Sequence, residues 1–209
     1  MIRHPAKYSD VLLPIFKTML VGCKHILDPF AGTGKLKNIF PDAILLEIEP
    51  EWAVISKAIV GDALYLPFRD QIFDAVVTSP TYGNRMADNF VDHQREKKYV
   101  RNTYRHTLGR ELTKNNSGAM NWGKSYRELH KSAWNEVYRV LNRDGLFLLN
   151  ISDHIRKGKI IEVSKWHYDY IISVGFNFIN EIKVGTKRQR MGANRNLRVS
   201  YESVFLFKK

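Results

Sequence analysis

Apolar positions in the first third of the chain fall into short runs, each closing on an acidic or small polar residue: His25–Asp28, Ala43–Glu47, Ala58–Asp62 and Phe73–Ser79. Runs of this length, apolar on both faces, predict buried parallel strands. Lys35–Phe40 and Glu51–Lys57 lie between them with helix-compatible composition, and Pro50 precedes the second as prolines often precede helices. From Gly83 to Lys124 the alternation stops. Ser125–Leu141 then carries Leu129, Trp134, Val137, Tyr138 and Leu141 at helical spacing, Gly145–Ile151 reads as a buried strand and Ile160–Val174 as a further helix. Phe176–Val184 and Val199–Phe207 alternate and predict a closing antiparallel hairpin. The whole predicts one α/β domain over residues 1–209, a doubly wound, mostly parallel sheet with its ligand site at the carboxyl ends of the strands.

Composition narrows the classes. In 209 residues, 44% are hydrophobic, enough for a substantial core, and no apolar run approaches the length of a membrane span. Val11–Ile26 is interrupted by Pro14, Lys17 and Lys24 and has no cleavage pattern of a signal peptide, so a cytoplasmic, non-membrane protein is expected. The single cysteine, Cys23, excludes an internal disulfide framework and a Cys-based zinc cluster. The seven histidines show no paired metal spacing, and no metal is assigned. A formal charge of +12 points to a polyanionic partner, nucleic acid being the commonest.

Two stretches concentrate that charge. The insert 84–124 carries Asn84, Arg85, Lys97, Lys98, Arg101 and Arg105 interleaved with Tyr99, Tyr104 and Trp122, and a loop of this length predicts a lid or a mobile segment. The segment 185–198 carries Lys187, Arg188, Arg190 and Arg195 and no acid. Basic side chains among aromatic ones suit phosphate and base contact, and both stretches are read as target-recognition regions.

Candidate chemistry sits at strand ends. After Asp28 come Pro29, Phe30, Ala31, Gly32, Thr33 and Gly34, a turn whose glycines permit close backbone approach to a ligand. A dinucleotide fingerprint wants glycine where Lys37 stands, and a phosphate loop wants Ser or Thr where Leu36 stands. Glu47, followed by Ile48, ends the next run, where a carboxylate can accept both hydroxyls of a ribose; Asp62, followed by Ala63, ends the third and can accept from an adenine amino group.

The fourth run ends Ser79-Pro80-Thr81-Tyr82. Together with Asp28-Pro29-Phe30-Ala31-Gly32-Thr33-Gly34 it resembles the S-adenosylmethionine-dependent DNA methyltransferases that modify exocyclic amines, the N4-cytosine and N6-adenine enzymes. The resemblance implies the seven-stranded, Rossmann-like sheet of class I methyltransferases, S-adenosylmethionine as cofactor and DNA as partner. His4-Pro5-Ala6-Lys7 is similar to the segment that closes over the methionine end of the cofactor, and Tyr201–Phe207 to the last antiparallel strand. Ser79 in first place looks like the N4-cytosine branch, familiar from restriction-modification systems. Thr81 stands where the family has a second proline.

The tetrapeptide has a physical rationale of its own. A ring amine is a poor nucleophile because its lone pair is delocalised. Acceptors at Ser79 Oγ and the Pro80 carbonyl can bind its two N–H groups and draw the nitrogen toward tetrahedral geometry. Positioning two reactants can supply roughly 7 to 11 kcal/mol, so no covalent enzyme intermediate is needed. The base must leave its stack, and Tyr82, with Phe30 nearby, offers a face to hold it. Cys23 lacks the setting of a methylating nucleophile. RNA base amines, a catalytically inactive nucleic-acid binder and a protein side-chain amide are the alternative readings.

Overall fold

Three of the four early runs become interior strands of one sheet: β1 (Ile26–Asp28), β2 (Ile44–Glu47) and β4 (Phe73–Thr78). Only two residues of the third run, Ile59–Val60, form β3, an exposed edge strand. The computed structural model describes residues 8–83, 104–186 and 197–209. Across the seven-stranded sheet the order is β3-β2-β1-β4-β5-β9-β8, with β5 at Leu141–Ile151, β8 at Asn177–Gly185 and β9 at Tyr201–Lys208. The first five strands in that order run parallel, and β9 enters antiparallel between β5 and β8. That is the predicted doubly wound sheet with its terminal antiparallel pair.

Successive strand residues point to opposite faces, and each face has its own core. Val76, Phe147, Leu149, Phe205 and Phe207 pack with Ala133, Trp134 and Val137 of α4 (Lys124–Val140) and Ile171 of α5 (Val163–Val174). Ala75, Val77, Leu148, Val204 and Leu206 pack with Leu12, Phe16, Leu20 and Leu36. Leu13 and Phe16 are the buried residues of α1 (Leu13–Met19), whose Pro14 sits in the first turn, where its missing N–H costs nothing. The remaining helices are α2 (Pro50–Ser56) and α3 (Tyr104–Leu108).

Three local expectations need correction. Lys35–Phe40 yields only a 3-10 turn at Lys35–Asn38, which ends ahead of Pro41, a residue that disfavours helix at the position before it. Ile160 and Ile161 belong to a small hairpin, β6 (His154–Arg156) with β7 (Lys159–Ile161), closed by Lys157 and Gly158 at positive φ, so α5 begins later. Within 83–124, residues 104–119 hold α3 and a 3-10 turn at Ser117–Ala119 and are not structureless.

Candidate active site

Strand ends β1, β2 and β4 meet at a cleft of about 420 Å³, whose wall includes Pro29, Phe30, Ala31, Gly32, Glu47, Ile48, Asp62 and Ala63 together with Ser79, Pro80, Thr81 and Tyr82. On one side the glycine turn is fastened to β2. Gly32 (φ 53) donates its N–H to Glu47 Oε2 at 2.7 Å, and Glu47 Oε1 accepts from Glu49 N–H at 3.0 Å. Burial pushes the Glu47 carboxyl up to about 7 against the pull of those two N–H groups. Asp62 Oδ1 accepts from Leu64 N–H and Oδ2 from the Asn115 amide, both within 2.9 Å.

Asp28 and Gly34 stand behind this wall. Asp28 is fully buried and accepts from Tyr8 Oη at 2.8 Å, Phe30 N–H at 3.1 Å and Thr78 Oγ1 at 3.1 Å; burial raises its pKa to about 6. It therefore ties the N-terminal segment, β1 and β4 together. Gly34 (φ 73) packs so closely on α2 that an added Cβ would come within 2.8 Å of Ser56 Cβ and 2.9 Å of Leu45 Cδ1.

On the opposite side, Ser79 opens the loop after β4. Its Oγ lies 3.2 Å from Tyr82 Oη and accepts from the Asn150 amide at 3.1 Å. The same Asn150 nitrogen donates to Glu202 Oε2 at 2.7 Å, and Tyr82 Oη donates to that oxygen at 3.3 Å. Asn150 is buried, and its Oδ1 has no hydrogen-bond partner among the described residues. A serine hydroxyl, a phenol and a carboxylate thus share one polar cluster on the wall of the cleft.

The stretch after α3 crosses from one side to the other. Buried Glu49 accepts from Thr113 N–H and Oγ1 and from the Asn116 amide, and pairs with Arg110 at 2.7 Å, which also holds Glu51. The Arg110 guanidinium keeps Glu51 below the usual carboxylate range. One residue on from Asn116, Ser117 Oγ accepts from Thr81 Oγ1 at 3.0 Å. Tyr104, Asn115, Asn116 and Ser117 consequently join the cleft wall.

Among sequence-predicted residues, His4, Pro5, Ala6, Lys7, Asn84, Arg85, Lys97, Lys98, Arg101, Lys187, Arg188, Arg190 and Arg195 lie outside the described residues, as does the side chain of Arg105 on α3. Sequence reasoning passes over Tyr8, Asn115, Asn116, Ser117 and Glu202. By sequence Asn150, Ser152 and Asp153, around the end of the fifth run, read either as site lining or as a turn; Asn150 stands inside β5, whereas Asp153 accepts from the Ser164 N–H and hydroxyl at the start of α5. A buried-strand run carrying a lone amide, Leu-Leu-Asn-Ile, is the available signal for Asn150.

Residues 73–209, well over half of the chain, match the DNA methylase family, N6 and N4 type. The chain belongs to the DNA methylase family. No curated protein matches it. Solved structures similar to this methylase include protein PH0226 of Pyrococcus horikoshii (15% identity, 94% of this chain and 87% of that one, TM-score 0.58). An S-adenosylmethionine-dependent methyltransferase of Methanosarcina mazei is also similar (13%, 94% and 97%, TM-score 0.57). So is a TehB-like S-adenosylmethionine-dependent methyltransferase of Corynebacterium glutamicum (15%, 94% and 86%, TM-score 0.53). At these identities the likeness speaks for the fold, that of class I methyltransferases. The methylase is an S-adenosylmethionine-dependent methyltransferase, and S-adenosylmethionine is its expected cofactor. Among the described residues no group of three His, Cys, Asp or Glu is placed to hold a metal, and no helix is long and apolar enough to cross a membrane.

Proposed function

We propose that the protein methylates the exocyclic amine of a base in DNA, N4 of cytosine in preference to N6 of adenine. The observation that carries this reading is the polar cluster in which Ser79, Tyr82 and Glu202 line the same cleft as Gly32, Glu47 and Asp62 and are joined by the buried Asn150 amide. The cleft suits the cofactor: a buried acid at the end of β2 whose ionised form can accept hydroxyl hydrogen bonds, a glycine turn on the same wall, and a second acid after β3. Glu47 would hold the ribose, Asp62 and Ala63 the adenine, and Gly32 the backbone approach, with His4–Lys7 over the methionine end. When bound, S-adenosylmethionine supplies a methyl group on a positively charged sulfur.

The chain's own residues prepare the amine. Ser79 Oγ and the Pro80 carbonyl accept its N–H groups, and Tyr82 offers a ring face to the extruded base. Asn150 already donates to Ser79 Oγ, which leaves the serine lone pair opposite that bond for the amine. Glu202, two hydrogen bonds away through Tyr82 Oη, gives the developing positive charge a carboxylate to work against. Basic residues of 84–124 and 185–198 would bind backbone phosphates.

The test is incubation with labelled cofactor and unmodified DNA of varied sequence, then digestion to nucleosides. N4-methylcytosine is expected, and Ser79→Ala should lose at least a hundredfold in turnover, on the order of removing one oriented donor or acceptor from a charge-developing site. Transfer and ribosomal RNA run alongside; label in RNA alone, or none in any nucleic acid, overturns the reading.

A further inference from the structure

Behind the loop that carries Ser79 lies a buried chain of hydrogen bonds that the methylation chemistry does not use. Trp134 Nε1–H donates to His167 Nδ1 at 2.9 Å. With Nδ1 occupied as an acceptor, a neutral imidazole carries its proton on Nε2. Nε2 lies 3.0 Å from Tyr126 Oη and donates to it, so the phenolic hydrogen is committed to the carbonyl of Thr81, 2.6 Å away. Tyr126, Trp134 and His167 are all fully buried, and burial holds the imidazole neutral, its pKa far below the ordinary value. Every donor in the chain therefore has one direction to point, ending on the peptide between Thr81 and Tyr82.

Thr81 is the position at which the sequence departs from the Pro-Pro of related tetrapeptides. A second proline would fix φ at that residue through its ring. Here the same residue is gripped from outside, its carbonyl by Tyr126 and its hydroxyl by Ser117, while Gly83 O accepts from Trp122 N–H at 2.9 Å. Displacements of about 1 Å at a reacting group can cost a hundredfold in rate.

We infer that Tyr126 is a positioning residue, oriented by His167 and Trp134, that holds the Ser79–Tyr82 loop in place through the Thr81 carbonyl. The inference rests on the amine-methylation reading only for its kinetic consequence.

Two measurements test it. In the unaltered protein, nitrogen NMR of the histidine rings at neutral pH should show His167 with its proton on Nε2; a proton on Nδ1 overturns the inference because Nε2 would then accept the Tyr126 hydrogen in place of the Thr81 carbonyl, and a cation overturns it because Nδ1 could no longer accept from Trp134. Tyr126→Phe keeps the ring and deletes the hydroxyl. Amide hydrogen exchange in peptides covering 79–83 should quicken about tenfold, with α4 and β5 unchanged, and turnover should fall about tenfold or more with cofactor affinity within twofold. Unchanged exchange in that loop overturns the inference, and so does an increase spread evenly through α4 and α5, which marks a merely structural role. If the unaltered protein methylates no DNA, the functional reading fails while the ring-proton and exchange results still decide the role of Tyr126.

Discussion

At Glu47, burial and hydrogen bonding act in opposite directions. Desolvation raises the carboxyl to about 7, although Gly32 and Glu49 each donate an N–H to it. A folded-state pKa above the ordinary 4.5 gives stability that is complete below 4.5 and is lost as the pH rises through 7. With Glu47 on the ribose, as proposed, the hydroxyls need acceptors, so cofactor binding favours the ionised form and the sign for affinity is the reverse. Calorimetric affinity for S-adenosylmethionine should be about tenfold weaker at pH 6 than at pH 8, levelling above 7. In Glu47→Gln affinity should be lower and flat across that range; a wild-type affinity that is flat too removes Glu47 from the binding of the cofactor. The sequence shows that an acid ends this strand, but not which of Glu47, Glu49 and Glu51 faces the cleft. The structure separates them by direction: Glu47 inward to Gly32, Glu49 to Thr113 and Asn116, Glu51 outward to Arg110. Three acids within five positions carry no periodic signal that could sort them.

Elements with a strong pattern are legible in the sequence, and weak ones are not. β1, β2 and the Leu146–Leu149 part of β5 are continuous apolar runs, β4 is broken only by Asp74, and α4 places Leu129, Ala133, Trp134, Val137 and Val140 on one buried face; the polar start of β5, Leu141–Asp144, is not legible as strand. The β6–β7 hairpin reads His-Ile-Arg against Lys-Ile-Ile, with no apolar alternation to announce it, and its strands are three residues each. The glycine turn is legible as a turn, yet its second glycine serves packing: Gly34 lets the chain pass against Ser56 of α2 at positive φ. Gly34→Ala meets both obstacles, a left-handed backbone and a Cβ 2.8 Å from Ser56 Cβ. It should cost about 2 to 4 kcal/mol in urea unfolding. Gly22→Ala, at φ +90 but with nothing within 4 Å, isolates the backbone part and should cost about 1 kcal/mol. Equal losses in the two variants would mean that packing against α2 contributes nothing.

Across the whole molecule, the site depends on a closure that sequence order conceals. Glu202 is 120 positions from Tyr82, and they meet because β9 enters the sheet beside β5, next to β4. The hairpin pattern gives the last strand its direction and one neighbour, β8, but not the other, β5, which is set by packing of Phe205 and Phe207 with Phe147, Leu149 and Ile171. Charge is the other property of the molecule as a whole. A net +12 in 209 residues, with Lys187, Arg188 and Arg190 in a stretch free of acids, should make DNA affinity fall steeply with salt as condensed counterions are displaced. Fluorescence anisotropy on a labelled duplex from about 50 to 200 mM salt gives the slope of log affinity against log salt; six or more neutralised phosphates would weaken binding about a thousandfold over that range. Replacing Lys187, Arg188 and Arg190 by alanine together should reduce that slope by about 2 to 3, close to one for each phosphate no longer neutralised, while cofactor affinity stays the same. A slope that does not change would take this stretch off the phosphates and leave the insert 84–124 to bind them. A slope near zero in the unaltered protein would mean that its charge is not used for nucleic acid at all.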